Sequence, residues 1–405
     1  MMKKYVIVLC DGMADEPLPE LDGRTPLEAA RTPHMDRLAP RSEIGMARTV
    51  PEGMSPGSDT ANLSVIGYDP VKYYSGRSPL EALSIGVDMK EDDVSFRCNV
   101  VTLSEEEENY EDRRILDHSA GEISSKDAAV LIEALKEGLK RDGYEFYAGT
   151  SYRHLLIWKQ GRVVELTAPH DILTRRIGEY LPADPVLREM MVKSYDILSN
   201  HPINVKRKEQ GLNPANSAWF WGAGTRPALT SFEQEHHLKG AMVSAVDLLK
   251  GIAVGAGMRN ITVEGANGGL DTNYTGKGQA AIDALRGDMD FVYIHIEAPD
   301  EMGHQGSFTD KITAIERIDA QIIGPIAETL EAEGMDFRML VLPDHPTPVR
   351  VRTHVGDPVP YLLYDSTADL GGKAVRYDEK TGQESGILVE KGHMLIRHLF
   401  ENGEK

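Results

Sequence analysis

Phe291-Val292-Tyr293-Ile294-His295-Ile296-Glu297-Ala298-Pro299-Asp300-Glu301-Met302-Gly303-His304 is the stretch on which the fold turns. It opens as a β-branched and aromatic run, expected as a strand buried on both faces, and passes directly into carboxylates and imidazoles. Three other runs behave alike. Tyr5 to Leu9 ends at Asp11-Gly12, Asn260-Ile261-Thr262-Val263 at Glu264-Gly265, and Met339-Leu340-Val341-Leu342 at Asp344-His345. Amphipathic segments lie between them. From Asp310 to Glu333, Ile312, Ile315, Ile322, Ile326 and Leu330 keep near-helical spacing, with a kink or break expected at Gly324-Pro325 and a stop at Gly334. The pattern predicts an α/β fold: a mostly parallel central sheet flanked by helices, with ligands gathered at the carboxyl ends of the strands.

The interval 98–200 reads differently. A strand (Phe96 to Leu103) leads to the acidic run Glu105-Glu106-Glu107-Glu108, which fits a solvated loop tip. A helix follows, capped at Ser124-Ser125, with Ala128, Leu131, Ile132, Leu135 and Leu139 on one face. Strands around Tyr144 to Phe146 and His154 to Trp158, and a helix near Pro185 to Leu198, complete a small inserted α+β unit. Residues 1–97 and 201–405 are left as the core domain.

Composition narrows the function classes. The 405 residues hold 44 Lys+Arg against 64 Asp+Glu, a net charge of −20 that repels nucleic acid and anionic membranes. No run approaches the roughly 18 apolar residues of a membrane span. The apolar start, residues 5–10, fits a first strand better than a signal peptide. Cys10 and Cys98 are the only cysteines, which favours a reducing compartment, the cytoplasm by default. On so acidic a chain, a pocket for an anionic substrate must be locally basic or hold metal cations.

Asp300 and His304 are four apart, so one helical turn places them on one face, and carboxylate with imidazole suits divalent zinc or manganese. Asp344-His345 repeats the pairing at another strand end, and His354 follows shortly after. Asp11 adds a third strand-end carboxylate. Alone, Asp-Gly is a turn signal; beside Asp300 and Asp344, parallel strands would crowd like charges that repel unless cations sit between them. Pro56-Gly57-Ser58-Asp59-Thr60-Ala61-Asn62-Leu63 opens a helix at Ser58. Ser58 or Asp59 can be a simple N-cap there, or Ser58 can be a metal-held alkoxide that attacks phosphorus.

Taken together, Asp11-Gly12, residues 56–63, Gly67-Tyr68-Asp69-Pro70, Pro299-Asp300 with Gly303-His304, Asp344-His345 with Thr347-Pro348, and His354 with Gly356-Asp357-Pro358-Val359-Pro360 resemble the cofactor-independent phosphoglycerate mutases of archaeal type, within the alkaline phosphatase superfamily. Pro202-Ile203-Asn204 and Gly222-Ala223-Gly224-Thr225 are further islands of the resemblance. It implies an alkaline-phosphatase-like core, a small phosphorylated substrate and two divalent metal ions, manganese first with zinc or cobalt as alternatives. Asp300, His304 and His354 would hold one ion. Asp11, Ser58, Asp344 and His345 would hold the other, with Ser58 as the phosphoserine nucleophile. The inserted unit would be a substrate-binding lid.

The lid departs from the family pattern. Where such mutases carry an arginine-rich motif like Asp-Arg-Arg-Ala-Gly-Arg, this chain has Asp117-His118-Ser119-Ala120-Gly121-Glu122. His118, Arg153, His154, His170 and Asp171 remain as candidate substrate contacts, and Asp171 as a candidate proton carrier. Lost guanidinium groups keep two alternatives open on the same scaffold: a homoserine-kinase-like phosphotransferase, for which Glu122 could face an ammonium, and a metal-dependent phosphomonoesterase. Trp219-Phe220-Trp221, near Asn213 and Asn216, fits packing better than ligand stacking.

Overall fold

The first apolar run forms strand β1 (Lys4–Cys10) in the computed structural model, which describes residues 3–372 and 374–400. β2 (Glu43–Ala47) follows. β3 (Val94–Leu103), β4 (Ile115–Asp117), β5 (Tyr144–Tyr147), β6 (Arg153–Trp158) and β7 (Ser217–Thr225) make a separate five-stranded sheet. β8 (Gly240–Val243), β9 (Arg259–Ile261), β10 (Phe291–Ile296), β11 (Phe337–Leu342), β12 (Val359–Asp365) and β13 (Leu388–Val389) complete the first sheet. The chain divides into two compact units, Met1–Tyr74 with Ala228–Lys405, and Ser75–Pro227. The smaller one is wider at both ends than the expected 98–200 span.

In the larger unit the strand order is β13-β2-β12-β11-β1-β10-β8-β9. β11, β1, β10, β8 and β9 run parallel, and β12 is antiparallel to both β11 and β2. Val6, Ile7, Val8 and Leu9 are each 0% exposed, so β1 is buried on both faces as its unbroken apolar run demands. Full burial of such side chains stabilises by about 1.5–3 kcal/mol each. Val6, Val8 and Cys10 alternate onto one face with Val292, Ile294 and Ile296, against Ile282, Ile315 and Ile322 of the covering helices. The segment does not break at Gly324-Pro325: the helix Phe308–Ile318 widens into a π-turn over Asp319–Ile323, and Gly324–Ala332 continues it. Pro325 has no N–H to donate to the preceding turn, and the wider turn accommodates that loss. Gly334, with φ +66°, ends the run. The run at residues 260–263 behaves differently from expectation. β9 is a three-residue edge strand, and Glu264 beyond it is exposed rather than part of any site.

In the smaller unit, β3 is the central strand, antiparallel to β6 and β7 and, at its end, to β4. Ser124 caps the helix Ser125–Gly138 by accepting the Asp127 N–H, and Ala128, Leu131, Ile132 and Leu135 are buried. Asp184 caps Pro185–Leu198 in the same way. Trp219 and Phe220 are packed into this core, as expected.

Candidate active site

β11, β1 and β10 are parallel neighbours, with Leu9 in register with both His295 and Leu342. Their carboxyl ends therefore deliver Asp11, Asp300, Asp344 and His345 to one edge. Gly12 has φ +62°, and a Cβ there would fall 2.6 Å from Asp300 Oδ1 and Thr347 Oγ1. The Asp11-Gly12 pair is thus more than a turn: glycine leaves the room that Asp300 occupies.

Two ligand-type groups form at this edge, Asp11–Asp344–His345 and Asp300–His345–His354, each with donor atoms within 4.8 Å of one another. His345 belongs to both. His304 adjoins the second, its Nε2 3.0 Å from His354 Nε2 and 3.3 Å from Asp300 Oδ2. Ser58 opens the helix Ser58–Val65, but its side chain caps nothing, for the N-cap is Gly57. Ser58 Oγ lies instead 3.2 Å from His345 Nε2 and 3.4 Å from Asp11 Oδ2. The N-cap alternative is therefore excluded for this serine. Asn62, one turn on, donates to the Ser58 carbonyl and to Asp344 Oδ2, both at 2.8 Å, and accepts the Tyr293 hydroxyl at 2.6 Å. Asp344 Oδ1 accepts the Gly12 and His345 N–H groups. Thr347 Oγ1 bonds Asp300 and lies 3.2 Å from His345 Nδ1. Asn62 and Thr347 were quoted from sequence only as members of motifs, and Tyr293 only as part of a strand; none was given a role there.

The electrostatics suit cations. Burial, then the charges of Asp344, Asp300 and Glu297, push the Asp11 carboxyl well above its ordinary range. Its Oδ1 is buried with no hydrogen-bond partner among the described residues. A buried orphan oxygen facing further carboxylates is costly unless positive charge joins it. Burial opposes charge on Asp300 too, but hydrogen bonds from His304 and His354 outweigh it and hold that carboxyl well below the usual range. The same bond from Asp300 raises His304 to about 9. Burial lowers His345, and lowers His295 to about 3.

The smaller unit gathers a cationic and aromatic cluster of its own. Arg97, across from Trp221 in the β3–β7 register, sets its guanidinium 4.2 Å from that ring. Glu81 pairs with Arg97 at 2.9 Å and with Arg77 at 3.1 Å. Burial, then the charges of Arg77 and Arg153 against that of Glu81, bring Arg97 down to about 10. The His170 ring lies 5.1 Å from Trp221 and 6.0 Å from His118, whose ring is 5.7 Å from Tyr152; Arg153 covers Tyr152. Asp171 is exposed, 3.7 Å from His170. Four of the expected contacts, His118, Arg153, His170 and Asp171, thus share one neighbourhood. His154 does not: strand alternation turns it inward, to 2% exposure, where Nδ1 accepts the Gly149 N–H and burial lowers it to about 4. Arg77 and Arg97 were missed from sequence, and Trp221 was read there as packing. The stretch Asp117 to Glu122 is a tight turn in which Asp117 accepts from Ser119, Gly121 and Asn213, and Glu122 is exposed.

Fold and cluster define a class: an α/β core with a mostly parallel sheet and a serine at a helix start beside a carboxylate–imidazole centre. The profile of 2,3-bisphosphoglycerate-independent phosphoglycerate mutases matches residues 39–204. The enzyme of that name from Methanosarcina barkeri is 48% identical over 403 residues, spanning 98% of this chain and 99% of its own. A probable one from Geobacter sulfurreducens is 47% identical over 402 residues, spanning 98% of this chain and all of its own. Among solved structures, a cofactor-independent phosphoglycerate mutase from Thermoplasma acidophilum is 28% identical, covers 99% of this chain and 100% of its own, and superposes with a TM-score of 0.65. A Pyrococcus horikoshii protein is 30% identical with full coverage of both chains and a TM-score of 0.81. The chain belongs to the 2,3-bisphosphoglycerate-independent phosphoglycerate mutase family.

Proposed function

We propose that this chain interconverts 3-phosphoglycerate and 2-phosphoglycerate through a phosphoserine on Ser58, with two divalent cations at the strand ends. The observation that carries the proposal is the Ser58 hydroxyl. It leads a helix without capping it and points at Asp11 and His345. Asp300, His304 and His354 would hold one cation, and Asp11, Ser58, Asp344 and His345 the other; the orphan Asp11 Oδ1 and the imidazole-rich donor set fit manganese, zinc or cobalt. Bound there, such ions would neutralise phosphoryl oxygens and lower the pKa of the serine hydroxyl.

The chain's own groups then define the chemistry. Ser58 Oγ gives up its proton and bonds to phosphorus as the bond from phosphorus to the substrate's 3-oxygen breaks, and that oxygen takes up a proton in exchange. In the return step the 2-hydroxyl loses its proton and attacks phosphoserine, releasing Ser58. The free N–H groups at the start of Ser58–Val65 favour the phosphoryl charge. We read the smaller unit as the substrate-binding lid: Arg77, Arg97 and Arg153 supply guanidinium groups that the altered motif lacks, His118 and His170 add imidazoles, and Asp171 is the candidate proton carrier. Cytoplasmic residence fits two buried free cysteines, and no described helix is long and apolar enough to cross a membrane.

The test is a coupled mutase assay on chelated protein with manganese restored, run beside phosphotransfer to homoserine and release of phosphate from a simple monoester. Mutase turnover exceeding both others supports the proposal. Homoserine phosphorylation or bare hydrolysis as the dominant activity would replace it.

A further inference from the structure

His295 stands in the stretch that decides the fold, yet the reaction just described leaves it without a role. It is 1% exposed, and both ring nitrogens are engaged. Nε2 lies 2.8 Å from Asp11 Oδ2. Nδ1 lies 3.3 Å from Ser244 Oγ, and that oxygen accepts the Val246 N–H at 3.0 Å. The His295 carbonyl accepts the fully buried Lys277 ammonium at 3.1 Å, which pins the backbone of the same residue. An Asp11 that holds a cation is ionised and can only accept, so in that state Nε2 carries the ring proton and Nδ1 accepts from the Ser244 hydroxyl. The donors therefore run in one direction, from Ser244 through His295 to Asp11. One carboxylate oxygen is taken, and the other, Oδ1, has no hydrogen-bond partner and sits 3.6 Å from His345 Nε2.

We propose that His295 is a positioning residue: by binding Asp11 Oδ2 it fixes the carboxylate so that the unpartnered Oδ1 faces His345, and so tightens divalent cation binding at the Asp11–Asp344–His345 set. The inference rests on the cation reading above and assigns His295 no contact with substrate. Outer partners that orient a ligand are worth roughly 10–100-fold in metal affinity. Geometry selects which binding event is affected, because no hydrogen bond joins His295 to Asp300, His304 or His354 among the described residues.

The experiment titrates manganese into chelated, dialysed full-length protein and follows free manganese by electron paramagnetic resonance, with no substrate present. His295→Leu should weaken one of two binding events by roughly 10–100-fold and leave the other within about threefold. His295→Gln, whose amide N–H can take the place of Nε2–H, should recover most of that loss, and Ser244→Ala should fall between leucine and wild type. Both binding events unchanged in folded His295→Leu would overturn the proposal, as would a glutamine variant as weak as the leucine one, since the loss would then be one of packing. Should His295→Leu fail to fold by circular dichroism, Ser244→Ala decides, and wild-type affinity there refutes the proposal. Wild-type protein that takes up no manganese would instead sink the cation reading itself, and this inference with it.

Discussion

Replacing Ser58 by alanine separates chemistry from stability, and the structure gives both magnitudes. The hydroxyl makes two contacts, 3.2 Å to His345 Nε2 and 3.4 Å to Asp11 Oδ2, at the long end of hydrogen-bond range. Their loss costs about 0.5–1 kcal/mol. Alanine at the first helical position returns a few tenths, about 0.5 kcal/mol, through helix propensity. No cap is lost, because Gly57 holds that position and no side chain caps the helix. The net change in unfolding free energy should therefore lie below about 1 kcal/mol, short of the ~2 kcal/mol that a lost cap can cost. Turnover should fall at least ~1,000-fold, about 4 kcal/mol of barrier, if the Ser58 hydroxyl is the group that takes the phosphoryl. Urea denaturation reads the first quantity. A continuous mutase assay with excess manganese reads the second, and intact-protein mass spectrometry should find a phosphoryl adduct on quenched wild type and none on the variant. Retention of more than about a tenth of wild-type turnover, a barrier change below ~1.4 kcal/mol, would place the nucleophile elsewhere.

Other perturbations follow from the same geometry. Lys311 is fully buried and donates to Asp15 Oδ2 at 2.7 Å and to the carbonyls of Ala14 and Thr347, so Lys311→Met should cost about 3–5 kcal/mol in urea titrations, and a loss below ~1 kcal/mol would contradict the pairing. Burial opposes the charge of Asp365, but Arg338 and Lys3 outweigh it and bring its pKa to about 2; this stability is present above the unfolded value near 3.9 and lost as pH falls through about 2. Asp365→Asn should accordingly lose about 2 kcal/mol at pH 7, with the gap to wild type closing on acidification; a gap independent of pH would argue otherwise. Because Asp300 holds His304 protonated up to about 9, cation uptake at pH 8 should release a proton, visible as a buffer-dependent heat in calorimetry; equal heats in buffers of different ionisation enthalpy would count against His304 as a ligand. Arg97→Gln should raise KM for phosphoglycerate by roughly 10–100-fold with a smaller change in kcat, as expected for loss of a charge-assisted contact; an unchanged KM would remove the cluster from substrate binding.

The core and much of its centre were readable because four of the candidate ligands sit where an apolar run stops. Asp11, Asp300, Asp344 and His345 all follow β1, β10 or β11 within a few residues, so chemistry and strand end were visible together. The smaller unit was harder. The helix Arg77–Ser84 belongs to it, but an amphipathic helix declares an apolar face without declaring which sheet that face covers. Arg97 and Trp221 are brought opposite each other only by the antiparallel register of β3 and β7, which no local pattern encodes. His154 could have been set aside earlier: Arg153 and His154 are adjacent on one strand, and a strand sends neighbours to opposite faces. Ser58 could not be judged from sequence, since glycine and serine are both good caps and only the backbone shows which of Gly57 and Ser58 holds the position.

The place of β1 in the sheet has a consequence for biosynthesis. Its two neighbours are contributed by residues 291–296 and 337–342, and Gly12 meets Asp344 across a sequence separation of 332 residues. A ribosome that has released the first 290 residues has made a β1 with neither flank, and of the other residues of the centre only Ser58 has been synthesised. Pairings this distant close late and slowly. Zinc fingers do the reverse, with ligands close in sequence gripping the ion early and drawing the chain around it. Here the candidate ligands on different strands meet only once the sheet has closed, so the proposed cation site forms with the fold rather than ahead of it.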